Sequence, residues 1–234
     1  MNQNVALFMY AGAGGFPIFL GGLAAFLASK KTFVLKNEVN HWVVAFGGGA
    51  LLSAVSLALI PESINKLNLL EISLLVLFGC IAFMLLDYVG NRIGGSVSQV
   101  IAMMMDFIPE AISLGASFAV NRNFGLLLAV FIGIQNFPEG YNSYYDLTKQ
   151  LSRRKTLLLM FVLSFVGIIA AFIGEQFLVN HDRIVAALMM FSSSGIIYLI
   201  FQDIAPMSKR VGDYIPATGA CIGFLLGMIG QQLL

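Results

Sequence analysis

Two stretches of ten residues decide how this chain is read: Met105–Leu114 (MDFIPEAISL) and Ile134–Ser143 (IQNFPEGYNS). Each lies deep in an apolar run, and each sets a proline in the middle of that run with a glutamate directly after it. Pro109 and Pro138 are 29 residues apart, about one membrane span plus a short turn. A carboxylate in hydrocarbon costs roughly 2.5–3.5 kcal/mol on insertion scales. Asp106, Glu110 and Glu139 therefore call for a cation, a proton or a water-filled cavity beside them. The prolines add a second demand. Each removes a backbone hydrogen bond and frees the carbonyl four residues earlier, here those of Met105 and Ile134, which in lipid must find another partner.

The rest of the chain reads as a scaffold for this polar centre. Of 234 residues, 59% are hydrophobic and only 11% charged, against about 25% charged in a soluble domain. So few charges cannot cover a water-facing surface, and the expected class is an all-α polytopic membrane protein. A bilayer core takes about 20 apolar residues per helix. Eight such segments are expected, near 5–28, 41–60, 68–90, 98–120, 124–145, 155–179, 184–205 and 214–234, forming a single eight-helix domain over residues 1–234. The first run is too long for a signal peptide and lacks a basic leader, since the first basic residue is Lys30. A net charge of +1 gives no support for nucleic acid as a partner. Cys80 and Cys221 lie in apolar runs without metal-site spacing and are read as small buried residues.

Loop charges predict the orientation. The odd-numbered loops hold ten basic residues (Lys30, Lys31, Lys36, Arg92, Lys149, Arg153, Arg154, Lys155, Lys209, Arg210) and the even-numbered loops three (Lys66, Arg122, Arg183). The odd loops are thus expected in the cytoplasm and both termini on the outer side. The glycines, including the run Gly47–Gly49, are read as sites of close helix packing. Ile60-Pro61-Glu62 and Asp203-Ile204-Ala205-Pro206 echo the two central motifs but fall at expected helix ends, where proline costs little.

Spacing gathers the polar side chains. Asp106 and Glu110 are i, i+4 and share a helix face, and Gln135 and Glu139 repeat that spacing on the next segment. Asn136 lies near the second face, Asn142 and Ser143 continue it, and Ser113 follows Glu110. If the two faces pack together, four to five oxygen ligands converge. That number suits a divalent cation, with Mn²⁺ favoured by the hard ligands and Zn²⁺ and Fe²⁺ also in range. Gln202 and Asp203 are read as either an exit site or interfacial residues. Asp87, Asn91 and Glu62 are read as solvated helix ends, and Met103–Met105 as packing residues.

These residues resemble the ZIP (Zrt/Irt-like) family of divalent-metal transporters. Gln135-Asn136-Phe137-Pro138-Glu139-Gly140 is similar to that family's helix 5 motif, while Asp106-Phe107-Ile108-Pro109-Glu110-Ala111 shares only the Pro-Glu of its helix 4 motif. Ala50–Glu62 and Ser194–Pro206 resemble its helices 2 and 7. The resemblance implies eight membrane helices, outer termini and metal binding by Asp106, Glu110, Gln135, Asn136 and Glu139. Two departures stand out. Phe107 replaces a ligating asparagine, and helix 6 has no carboxylate near Gly167–Ile168, where some members place a bridging glutamate; Glu175 lies two turns beyond. A single metal site is therefore expected.

The function expected is transport of a divalent metal (Zn, Mn or Fe) into the cytoplasm, without enzymatic activity or a prosthetic group. The metal ion and the lipid bilayer are the expected partners, with room for a homodimer, and the short loops fit a bacterial inner membrane. The alternatives are a non-transporting metal sensor or structural homologue, and a carrier of other cations. An intramembrane aspartyl protease is disfavoured because no glycine-rich aspartate motif is present, and His-Glu-x-x-His is absent as well.

Overall fold

The computed structural model describes residues 2–29, 36–209 and 212–233. Lys30, Lys31 and Arg210 of the loop count, and the side chain of Lys36, lie outside the described residues. Eight helical rods follow one another: α1 (Gln3–Ser29), α2 (Lys36–Ala54, continued below), α3 (Leu69–Ile93), α4 (Gly95–Val120), α5 (Arg122–Leu147), α6 (Arg153–Leu163 and Val166–Leu178), α7 (Asp182–Leu199, continued below) and α8 (Ile215–Leu233). Among the described residues there are no strands. Among the described residues, six stretches are long and apolar enough to cross a membrane: Gln3–Ser29, Val39–Ile64, Leu69–Ile93, Gly95–Val120, Arg153–Leu178 and Asp182–Ser208. The other two rods, α5 and α8, are 26 and 19 residues long and pack into the same bundle. These are the proportions of an integral membrane protein.

Two helices outrun their expected ends. α2 does not stop at Ile60. It passes through a π-helical turn at Val55–Leu59, closed by the Ile60 N–H donating to the Val55 carbonyl, and continues over Ile60–Ile64. α7 does the same at Ile200–Ile204, with the Ala205 N–H on the Ile200 carbonyl, and continues over Ala205–Ser208. Each wide turn immediately precedes a proline pair, Ile60-Pro61 and Ala205-Pro206. Proline has no N–H to give and its ring crowds the carbonyl four residues back. A turn with one extra residue relieves both, so Pro61 and Pro206 fall within the last turn of each rod, three and two residues before its final residue. α6, expected as one helix, breaks at Ser164–Phe165 without a proline. There the Ser164 hydroxyl donates back to the Met160 carbonyl at 2.8 Å and the Phe165 N–H tightens onto Val162.

The rods sort into two groups by their packing. α1, α4, α5 and α6 pack most extensively on one another, while α2 lies along α8 and α3 along α7; α2–α5, α4–α7 and α3–α4 join the groups. α3 is peripheral, burying only Gly79, Phe83 and Gly90 while Leu70, Leu74 and Phe78 face outward. Cys80 and Cys221 are also exposed on this outer, apolar surface, which corrects their expected burial. A cysteine is apolar enough to meet acyl chains without a protein partner.

Glycine carries the closest contacts, in line with the packing reading. A Cβ on Gly115 of α4 would collide with the Ala171 carbonyl of α6, and one on Gly140 of α5 with the Ile18 carbonyl of α1. Since a backbone carbonyl cannot swing aside, these helix pairs reach their spacing only with glycine. Gly115→Val is expected to part α4 from α6 and cost about 1–3 kcal/mol, read as a lowered melting temperature in detergent. Gly12→Ala, where the nearest atom is Ile168 Cδ1 at 3.9 Å, is expected to be neutral or slightly stabilising.

Candidate metal centre

α4 and α5 run unbroken through Pro109 and Pro138 and bring their polar faces together in the middle of the bundle. Asp106, Glu110, Gln135 and Asn136 are each at most 3% exposed. The Gln135 amide Nε2 donates a short hydrogen bond to Glu110 Oε2, joining the two helices at the level of the motifs. Asp106 Oδ1 accepts from the Phe107 N–H at 2.8 Å. Two amide oxygens in this centre, Gln135 Oε1 and Asn136 Oδ1, have no hydrogen-bond partner.

A cavity of roughly 250 Å³ reaches this centre from one end of the bundle. Asp106, Gln135 and Glu139 line its depth, and Gln99, Asn142 and Ser143 come next, with Gln99 Nε2 donating to Ser143 Oγ at 2.8 Å. Asp87 and Asn91 of α3, Asp146 of α5 and Asp203 of α7 complete it. Asp87 is held in place by two donors, Asn91 Nδ2 at 3.0 Å and the Tyr198 hydroxyl at 3.1 Å. Five carboxylates thus line the cavity, and among the described residues no Lys, Arg or His does. Asp146 pairs with Lys149 at 2.6 Å.

The five expected ligands are divided by this geometry. Asp106, Gln135 and Glu139 face the cavity; Glu110 stands behind, tied to Gln135. Asn136 is turned to α1, where its Nδ2 donates to the Gly14 carbonyl at 2.8 Å, and it does not line the cavity. Among the described residues, no three His, Cys, Asp or Glu side chains are grouped closely enough to hold a metal ion together. The donor set at the cavity floor is two carboxylates and an amide oxygen, hard ligands that leave positions for water.

Asp87 and Asn91, read from sequence as solvated ends, belong to the cavity wall, as do Gln99, Asp146 and Asp203. Gln99 lies seven residues before Asp106 and Asp146 seven after Glu139, so the same helical spacing that linked the central residues reaches these two. Gln202 and Glu175 do not line the cavity; Glu175 accepts from Gln3 Nε2 at 3.2 Å.

Phe107 has a definite place. Its ring is fully buried between α1 and α6, and a Cβ on Gly15 or on Gly167 would run into it. The aromatic ring and the two glycines are matched in shape. Compared with known proteins, the chain matches no family model and no curated protein.

Gly167→Ala alone is expected to cost about 1–3 kcal/mol, because the buried ring cannot move aside. In a Phe107→Ala background the same change should cost much less. A double-mutant cycle by thermal unfolding should give a coupling of about 1 kcal/mol or more.

Proposed function

We propose that this protein is a carrier for divalent metal cations of the Zn, Mn and Fe class, moving them into the cytoplasm. The observation that carries the reading is the cavity lined by five carboxylates and, among the described residues, no basic one, ending at Asp106, Gln135 and Glu139 in the middle of an apolar bundle. Such a cavity favours cations through its field. Its depth offers oxygen ligands where a dehydrated ion has no water. The resemblance of both Pro-Glu motifs to those of ZIP transporters supports the same reading.

The direction rests on charge. The cavity opens near the ends of α3, α5 and α7, the ends that lead into the connections holding Arg92, Lys149, Arg153, Arg154, Lys155 and Lys209. An excess of Lys and Arg marks the cytoplasmic side. With that orientation both termini face out, all eight rods span the bilayer, and the conformation described is open to the cytoplasm. The two helix groups flank the cavity, with Asp106, Gln135 and Glu139 on one and Asp87 and Asp203 on the other. Rocking one against the other closes the inner mouth and opens the outer one, the logic of alternating access. Asp203, Asp87 and Asp146 then give a departing ion successive partners toward the mouth.

Uptake into proteoliposomes tests the reading with Mn²⁺, Fe²⁺, Zn²⁺, Co²⁺ and Cd²⁺. Saturable flux of at least one is expected. Glu139→Ala should lower it about 100-fold or more, the equivalent of roughly 3 kcal/mol for removing a charged partner from a buried site. Metal binding without flux turns the reading into the sensor or structural alternative.

A further inference from the structure

At the other end of the bundle lies a second, smaller cavity of roughly 100 Å³, lined by Glu62, Lys66, Ser117, Asn121, Asp182 and Val185, among others. Glu62 pairs with Lys66, four residues on, at 2.6 Å in its lining. Four helices, α2, α4, α5 and α7, line both cavities. α2 contributes Leu51 to the large one and Glu62 to the small one, and α4 contributes Asp106 and Ser117. Each pair is eleven residues apart, about 16 Å at 1.5 Å per residue. α7 supplies Asp203 to one and Asp182 to the other. The two cavities therefore lie on one line, separated by a plug. Val55, Ala58 and Leu59 of α2, Ser113 and Leu114 of α4, and Met189 and Ser192 of α7 lie along these helices between the two, all at most 2% exposed.

The plug has two properties that a permanent seal does not need. Its α2 wall is the π-helical turn Val55–Leu59, a backbone with fewer α-type bonds than its neighbours. Its two buried hydroxyls, Ser113 Oγ and Ser192 Oγ, have no hydrogen-bond partner. A buried unpaired polar group is costly, and native proteins rarely keep one without reason. Asp106, Glu110, Ser113 and Ser117 recur at i, i+4, i+7 and i+11, one continuous stripe of α4 from cavity floor to small cavity.

Building on the carrier reading, we propose that this plug is the outer gate and that hydrated divalent cations reach Glu110 by way of the small cavity, past Ser113 and Ser192. The two hydroxyls are unpaired because the gate is closed; on opening they bind the water or the ion that passes. Their role is therefore to hold down the stability of the closed state and to line the open one.

The test is Ser113→Ala combined with Ser192→Ala in the full-length protein, a change that adds no bulk. The expected result is a melting temperature raised by a few degrees, unchanged Mn²⁺ affinity in detergent, and Mn²⁺ uptake lowered about tenfold or more in proteoliposomes. Uptake at the wild-type rate overturns the proposal. Lowered uptake with a lowered melting temperature assigns the serines to packing and also overturns it. Wild-type protein that binds but never transports removes the carrier reading and the gate with it, whereas wild-type flux lost in Glu139→Ala but kept in the serine variant removes the gate alone.

Discussion

A carboxylate inside a hydrocarbon layer has to be matched where it stands, and the hydrogen bond from Gln135 to Glu110 is the fixed point of this molecule. It joins α4 to α5 at the level of the two Pro-Glu motifs and so sets the register of both helices. Once that register is set, Asp106 and Glu139 share the space beside it, and the acids there call for water, a cation or a proton. The cavity is the answer to that demand, and its line of acids and amides continues the match from the centre to the mouth.

Such a centre needs a rigid frame, and the frame is made by close backbone contact. Glycines at Gly115 and Gly140 let α4 meet α6 and α5 meet α1 with no side chain between them. The Phe107 ring of α4 packs against Gly15 of α1 and Gly167 of α6. This group of four helices therefore holds its carboxylates steady. The boundary with α2, α3 and α7 is of another kind, since cavities and the two π-helical turns lie along it. Stiffness within a group and looseness between groups are what a moving part requires.

Helical class and the central residues were legible in the sequence because both depend on local rules. Apolar length marks a span, and i, i+4 spacing puts Asp106 with Glu110 and Gln135 with Glu139. That Asp87 and Asn91 also line the cavity was not legible, because α7, a hundred residues away, shapes that wall, with the Tyr198 hydroxyl on Asp87. Asn136 follows the motif in sequence, but the Gly14 carbonyl of α1 decides where its amide points. The burial of Cys80 and Cys221 was misread because an apolar run in a membrane protein has two apolar surroundings, the core and the lipid, and hydropathy does not separate them. Pro61 and Pro206 looked like stops because proline in an α-helix is costly; a wider turn just before each removes that cost.

That wider turn in α2 also acts as a shift of phase. A π-helical turn carries one residue more than an α-turn, so the residues beyond it are rotated by about 100° from the positions an uninterrupted helix would give them. Glu62 faces the small cavity because of an extra residue a turn earlier, not because of its own neighbours. A related chain lacking that residue would carry the same Ile-Pro-Glu letters on a different side of the rod. Aligning such chains correctly requires a gap inside a membrane helix, a place where gaps are ordinarily refused.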